Sequence, residues 1–188
     1  AAAMRRLSGY ARSTLLQKAA QALQSRQEEC ARIMMAEAGK PLTDARREVG
    51  RAIQTFSIAG EEAKRIGGEV VPLDWSPGME SYWGVTRRFP IGPILGITPF
   101  NFPLAIPTWK MFPALVCGNA CVFKPAEDVP HTGHVFVEVL LEAGLPPEVV
   151  SQVVALRLAG HPTDQLEIRN ESIRALGDGR RFDPRSLA

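Results

Sequence analysis

The chain has 188 residues, of which 45% are hydrophobic and 22% charged, the proportions of an ordinary soluble globular domain. Its 22 basic and 20 acidic residues leave a net charge of +2 with no basic run, which argues against a nucleic-acid or anionic-membrane surface. No apolar run approaches the ~18 residues of a membrane span, and Ala1 to Arg6 is followed by no signal-like apolar stretch, so a cytoplasmic protein is expected.

The first third reads as helical. Leu15, Ala19, Ala22 and Leu23 recur at helical spacing, with Arg12, Lys18 and Gln24 on other faces. A second amphipathic stretch carries Cys30, Ile33, Met34 and Ala38; Gly39 supplies a C-cap and Pro41 follows. A third helix is expected from Thr43 or Asp44, with an apolar stripe of Val49, Ala52, Ile53, Phe56, Gly60 and Ala63, ending at Gly67-Gly68. Glu69 to Leu73 and Ser81 to Phe89 are β-like and flank the turn signal Pro77-Gly78, which predicts a hairpin. Trp75, Tyr82 and Trp83 are expected to pack on a sheet or interface.

From Pro90 the pattern becomes strand, helix, strand, helix, strand. The strands are Ile94 to Thr98, Ala120 to Phe123 and Val149 to Val154; the helices are Leu104 to Val116 and Pro130 to Ala143. Continuous apolar strands joined by helical crossovers imply a parallel α/β sheet buried on both faces. After Val154 no strand is evident; a short helix near Asp164 to Leu176 and then disorder are expected. The expected organisation is a helical region over 1–68, a β-arm over 69–89, a partial α/β domain over 90–154 and a divergent tail over 155–188.

Three cysteines, Cys30, Cys117 and Cys121, show no CxxC spacing, and all are expected to be buried structural residues. His131, His134 and His161 lack a third ligand at metal spacing, so no metal site is expected.

The residues of chemical interest fall at strand ends. Asn101 lies in Pro99-Phe100-Asn101-Phe102-Pro103, where the first α/β strand meets its helix. Two readings fit: a helix N-cap, or a rigid side-chain NH2 donating to a developing oxyanion in a dry setting. Lys124 and Glu127 follow the next strand, offering three donors and two acceptor oxygens, which suit a ribose diol or a surface ion pair. Lys110 lies amid Leu104, Ile106, Met111 and Leu115; it either snorkels outward or serves as a buried proton relay.

Taken in order, Pro90-Ile-Gly-Pro-Ile-Leu-Gly-Ile-Thr-Pro-Phe-Asn-Phe-Pro-Leu104, Trp109-Lys110, Pro113-Ala-Leu115, Gly118-Asn119, Lys124-Pro-Ala-Glu127 and Glu142-Ala-Gly-Leu-Pro-Pro147 resemble the aldehyde dehydrogenase superfamily over residues 8 to 154. The Glu37-Ala-Gly-Lys-Pro41 turn is similar to that family as well. The variant Pro-Phe-Asn-Phe-Pro is similar to the branch acting on lactaldehyde-like or phosphorylated small aldehydes. The resemblance implies an α/β fold with N-terminal helices and a partial, Rossmann-like parallel sheet.

It also implies oxidation of a small aldehyde to a carboxylic acid, through a cysteine thiohemiacetal and hydride transfer to NAD(P). Asn101 would then donate to the oxyanion and Lys110 would relay protons. Ile97, Thr98, Pro99 and Phe100 would line the nicotinamide-ribose groove, while Lys124 and Glu127 would hold the adenosine ribose. A carboxylate at Glu127 repels a 2′-phosphate, so NAD is expected over NADP. The 69–89 arm implies a homodimer or homotetramer. The family's glycine-bearing nicotinamide loop, general-base glutamate and nucleophilic cysteine have no counterpart here. The chain is therefore expected to be a truncated, cofactor-side portion, inactive alone; the alternatives are a catalytically dead NAD-binding or oligomerisation module, or a nonfunctional fragment.

Overall fold

The computed structural model describes residues 2–156 and 167–169. Four helices come first: α1 (Ala2–Arg6), α2 (Gly9–Ser25), α3 (Gln27–Ala38) and α4 (Leu42–Glu62). The Ser8 hydroxyl caps α2 by accepting from the Ala11 N–H at 3.1 Å. Gly39 closes α3 in the left-handed region at φ 62, which a side chain rarely adopts. Helix α4 buries Ala45, Val49, Ala52, Phe56 and Gly60 and ends at Glu62, five residues short of the expected glycine pair.

A short antiparallel hairpin follows, β1 (Val70–Pro72) with β2 (Trp83–Val85). Trp75, Tyr82 and Trp83 are exposed rather than packed on a sheet, because the hairpin stands away from the core.

The α/β part runs β3 (Pro93–Ile97), α5 (Ala105–Val116), β4 (Ala120–Lys124), α6 (Pro130–Glu142) and β5 (Val150–Gln152). The three strands are parallel in the order β3-β4-β5. The expected strand over 149–154 is divided: a 3-10 turn at Pro147–Val149 leads into β5, and β6 (Val154–Leu156) pairs antiparallel with β7 (Glu167–Arg169). A strand at 167–169 replaces part of the helix expected over 164–176, and the rest of that reading lies outside the described residues.

The sheet is covered on one face only. The register aligns Ile94, Cys121 and Val150, and Gly96, Phe123 and Gln152, on the covered face. Leu95 and Ile97 on the other face are 62% and 55% exposed. This corrects the expectation of burial on both faces. Strand order advances without reversal, and right-handed crossovers then place both helices on the same side. Phe56, Phe112, Phe123 and Phe136 are fully buried beneath those helices, in one core that runs from α2 to β5. Cys30 and Cys121 are buried as expected, whereas Cys117, just past α5, is exposed. Among the described residues no helix is long and apolar enough to cross a membrane.

Candidate functional site

Parallel pairing sets Ile97 opposite Lys124, and the Thr98 N–H donates to the Lys124 carbonyl at 3.1 Å. The loops 98–101 and 124–127 therefore leave the same carboxyl edge of the sheet side by side. In open α/β sheets that edge is where ligands bind. Thr98 is buried, while Ile97, Pro99 and Phe100 are exposed along the rim. Lys124 is ion-paired with Glu127, and its Nζ also donates to the Pro125 carbonyl at 3.4 Å. Lys110 projects from the exposed side of α5 and makes no ion pair among the described residues.

Asn101 departs from both expectations about its surroundings. It is exposed, not dry, and it is not the N-cap of α5; that position is Leu104, whose side chain makes no cap hydrogen bond. The cap comes from α4 instead. Glu48 Oε1 accepts from the Leu104 and Ala105 N–H groups, both at 2.9 Å. Its other oxygen pairs with Lys40 Nζ, which also donates to the Asn101 carbonyl at 2.9 Å and sits 4.4 Å from the Phe102 ring centroid. Glu48 is 1% exposed and Lys40 14%, so this pair works in low dielectric. The Asn101 backbone is thus fixed by Lys40, in the turn before α4, and its side-chain amide has no hydrogen-bond partner among the described residues.

Helix α6 is capped in the same way. Glu37, at the end of α3, accepts from the His131 N–H at 2.7 Å and from the Thr132 N–H and hydroxyl at 2.8 and 2.7 Å. Pro130 has no N–H, and the Gly133 N–H goes to the Val129 carbonyl, so the donors of the first turn are accounted for. Free helix N-termini attract phosphate groups. Here Glu48 and Glu37 already fill those of α5 and α6, leaving the 98–101 and 124–127 loops as the groups able to receive a ligand at this edge.

Sequence reasoning passed over Glu37, Lys40 and Glu48 as functional residues. A signal for Glu48 existed: it falls on the buried stripe of α4, one turn from Ala45 and from Ala52. A carboxylate in such a stripe needs a partner.

The three thiols offer no nucleophile to this edge. Burial pushes Cys30 and Cys121 up to about 12. Cys117 lies past the far end of α5, whose 12 residues span about 18 Å.

Known proteins are similar to this chain in sequence and in fold. The chain is 47% identical over 139 residues to the 3-sulfolactaldehyde dehydrogenase of Priestia aryabhattai, covering 74% of this chain and 29% of that protein. It superposes on aldehyde dehydrogenase 21 of Physcomitrella patens, in complex with the reaction product succinate, with a TM-score of 0.79 and 39% identity, covering 84% of this chain and 33% of the other. It superposes likewise on the NADP-dependent glyceraldehyde-3-phosphate dehydrogenase of Bacillus halodurans, complexed with NADP, with a TM-score of 0.78 and 34% identity over 83% and 33%. The chain spans just under a third of the length of such relatives. The model of the aldehyde dehydrogenase family matches residues 1–175, a wider span than 8 to 154. With the family model matched over most of its length and the fold shared with such enzymes, the chain belongs to the aldehyde dehydrogenase family.

Proposed function

We propose that this chain is the cofactor and oxyanion portion of an NAD-dependent aldehyde dehydrogenase that oxidises a small aldehyde to its acid. The observation that supports this most directly is the register of Ile97 with Lys124, which sets the Asn101 loop beside the Lys124–Glu127 pair on one sheet edge. Glu127 accepts from, and Lys124 donates to, the hydroxyls of an adenosine ribose, a chemistry the pair fits. Ile97, Thr98, Pro99 and Phe100 line the adjoining groove. The nicotinamide, when bound, supplies the hydride acceptor. The Asn101 amide, held through its backbone by Lys40, donates to the oxygen that gains charge as the aldehyde carbon is attacked. Lys110, one and a half turns into α5, is the proposed proton carrier.

The preference for NAD rests on Glu127, whose charge opposes a 2′-phosphate. The relatives' names support a small aldehyde bearing a second, anionic group as substrate. A cytoplasmic enzyme that assembles through the exposed β1–β2 hairpin as a dimer or tetramer completes the reading. The chain by itself is expected to turn over no aldehyde, since neither buried thiol ionises near neutral pH and Cys117 is remote from Asn101.

Two measurements test this. Calorimetry with NAD should show binding that Glu127→Ala weakens by about tenfold, with NADP weaker than NAD; equal binding to wild type and variant would overturn the cofactor site. An aldehyde panel with NAD should give no NADH; turnover abolished by Asn101→Ala would overturn the assignment of inactivity.

A further inference from the structure

A cavity open to solvent lies away from the carboxyl edge. Its volume is about 1080 Å³, and it lies where the start of α2, the segment after α4, the segment before β3 and the α5–β4 turn converge. Four arginines line it, Arg5, Arg12, Arg87 and Arg88, and among the described residues no aspartate or glutamate does. Arg5, Arg12 and the adjacent pair Arg87–Arg88 come from three parts of the chain, and the fold brings them together.

None of the four is in an ion pair among the described residues. Arg5 donates to the Pro90 carbonyl at 3.3 Å and Arg12 to the Leu7 carbonyl at 3.0 Å, one donor each of five. Arg12 Nε is buried with no hydrogen-bond partner. Arg87 lies over the Phe89 ring, 5.2 Å from its centroid. The N-terminus of the 17-residue helix α2 opens into the same space through Leu7, Ser8 and Gly9. Ser8 takes the Ala11 N–H, and the Gly9 and Tyr10 N–H groups have no intrahelical acceptor.

The walls are preformed. At Gly68 a Cβ would fall 1.6 Å from the Thr86 carbonyl, so only glycine allows these two segments to meet. The Thr86 N–H donates to the Glu69 carbonyl at 2.9 Å, and the Glu69 N–H to the Thr86 hydroxyl at 2.8 Å, which holds the strand leading to Arg87 and Arg88.

Four guanidinium groups gathered without carboxylates repel one another, and a multiply charged anion with several acceptor oxygens relieves that repulsion. We propose that this cavity, at the amino edge of the sheet, binds a small polyphosphate: a di- or triphosphate group, either free or carried by a nucleoside. The site is separate from Lys124 and Glu127 and does not depend on the dehydrogenase reading.

Calorimetry of the full chain with inorganic pyrophosphate tests it. Binding should weaken by at least about tenfold in Arg5→Ala and again in Arg88→Gln, with melting temperatures unchanged. Arg32→Ala, which removes an exposed arginine of α3 that does not line the cavity, and Lys124→Ala, at the opposite sheet edge, should leave it intact. Pyrophosphate should also slow modification of Cys117, which lines the cavity. In the Glu127→Ala background, which disables the proposed ribose site, ADP binding no tighter than pyrophosphate assigns the cavity to the phosphates alone; ADP binding more tightly, and weakened by Arg5→Ala, assigns it to a nucleoside polyphosphate. Absence of pyrophosphate binding, binding indifferent to Arg5→Ala and Arg88→Gln, or binding lost in Lys124→Ala would each overturn the proposal.

Discussion

At the scale of single residues, Glu48 joins three parts of the chain through one carboxylate. One oxygen holds the first N–H groups of α5, and the other holds Lys40, which in turn holds the Asn101 carbonyl. Removing one member of a buried charged pair leaves its partner uncompensated, at roughly 3 kcal/mol. Glu48→Ala should therefore lower the unfolding free energy by about that amount in urea, and Glu48→Gln by less, because its amide oxygen still accepts from α5. Lys40→Met should leave the cap in place but release Asn101, seen as faster hydrogen exchange confined to the 98–103 loop. The cysteines separate equally clearly. Cys117 is expected to react with an aromatic disulfide in the native state, and Cys30 and Cys121 only on unfolding, because burial holds their thiols protonated. Glu48 was visible in the sequence as a polar residue on an apolar stripe, but its capping role was not, since the N–H groups it holds lie 56 and 57 residues away.

At the scale of elements, α6 is held at two places by charge. Glu37 caps its start, and Arg26, between α2 and α3, binds Glu29, Glu138 and Glu142 at 2.8, 2.8 and 2.9 Å. Arg26 is correspondingly shifted to hold its proton more tightly, chiefly through Glu29. Glu138 is lowered from 4.5 to about 2, first by His134 and then by Arg26. A carboxyl lowered in the folded state adds stability that is complete above its unfolded value and is lost as pH falls through the folded one. The wild-type urea midpoint should thus fall between about pH 4.5 and pH 2, and Glu138→Gln should flatten that fall while lowering stability at pH 7. An unchanged pH profile in the variant would show that the network contributes nothing to stability. The helices themselves were legible from periodicity, including the stop at Gly39. Their ends at α4 and β5 were not, because end positions are set by what the neighbouring turn can bond to rather than by propensity.

At the scale of the whole molecule, the sheet with one bare face is the main departure from the sequence reading. Leu95 and Ile97 lie on that face, and Phe89, Ile91 and Phe100 are also exposed nearby in the chain. Exposed apolar side chains on an uncovered sheet face favour association. Replacing Leu95 and Ile97 together by lysine should reduce self-association in sedimentation without lowering the melting temperature. A large loss of stability instead would mean that both side chains are packed in solution.

The sequence alone determined the order of helices and strands from α2 to β5, the parallel sense of the sheet and the placement of Asn101, Lys124 and Glu127 at strand ends. These follow from local periodicity and from the handedness of crossovers, which act over short stretches of chain. Only the tertiary structure decided which sheet face is covered, that Glu37 and Glu48 cap the two crossover helices, and that Arg5, Arg12, Arg87 and Arg88 share a cavity. Those features depend on which distant side chains fill each helix end and each gap, and that choice is made by packing across the whole core rather than by any segment.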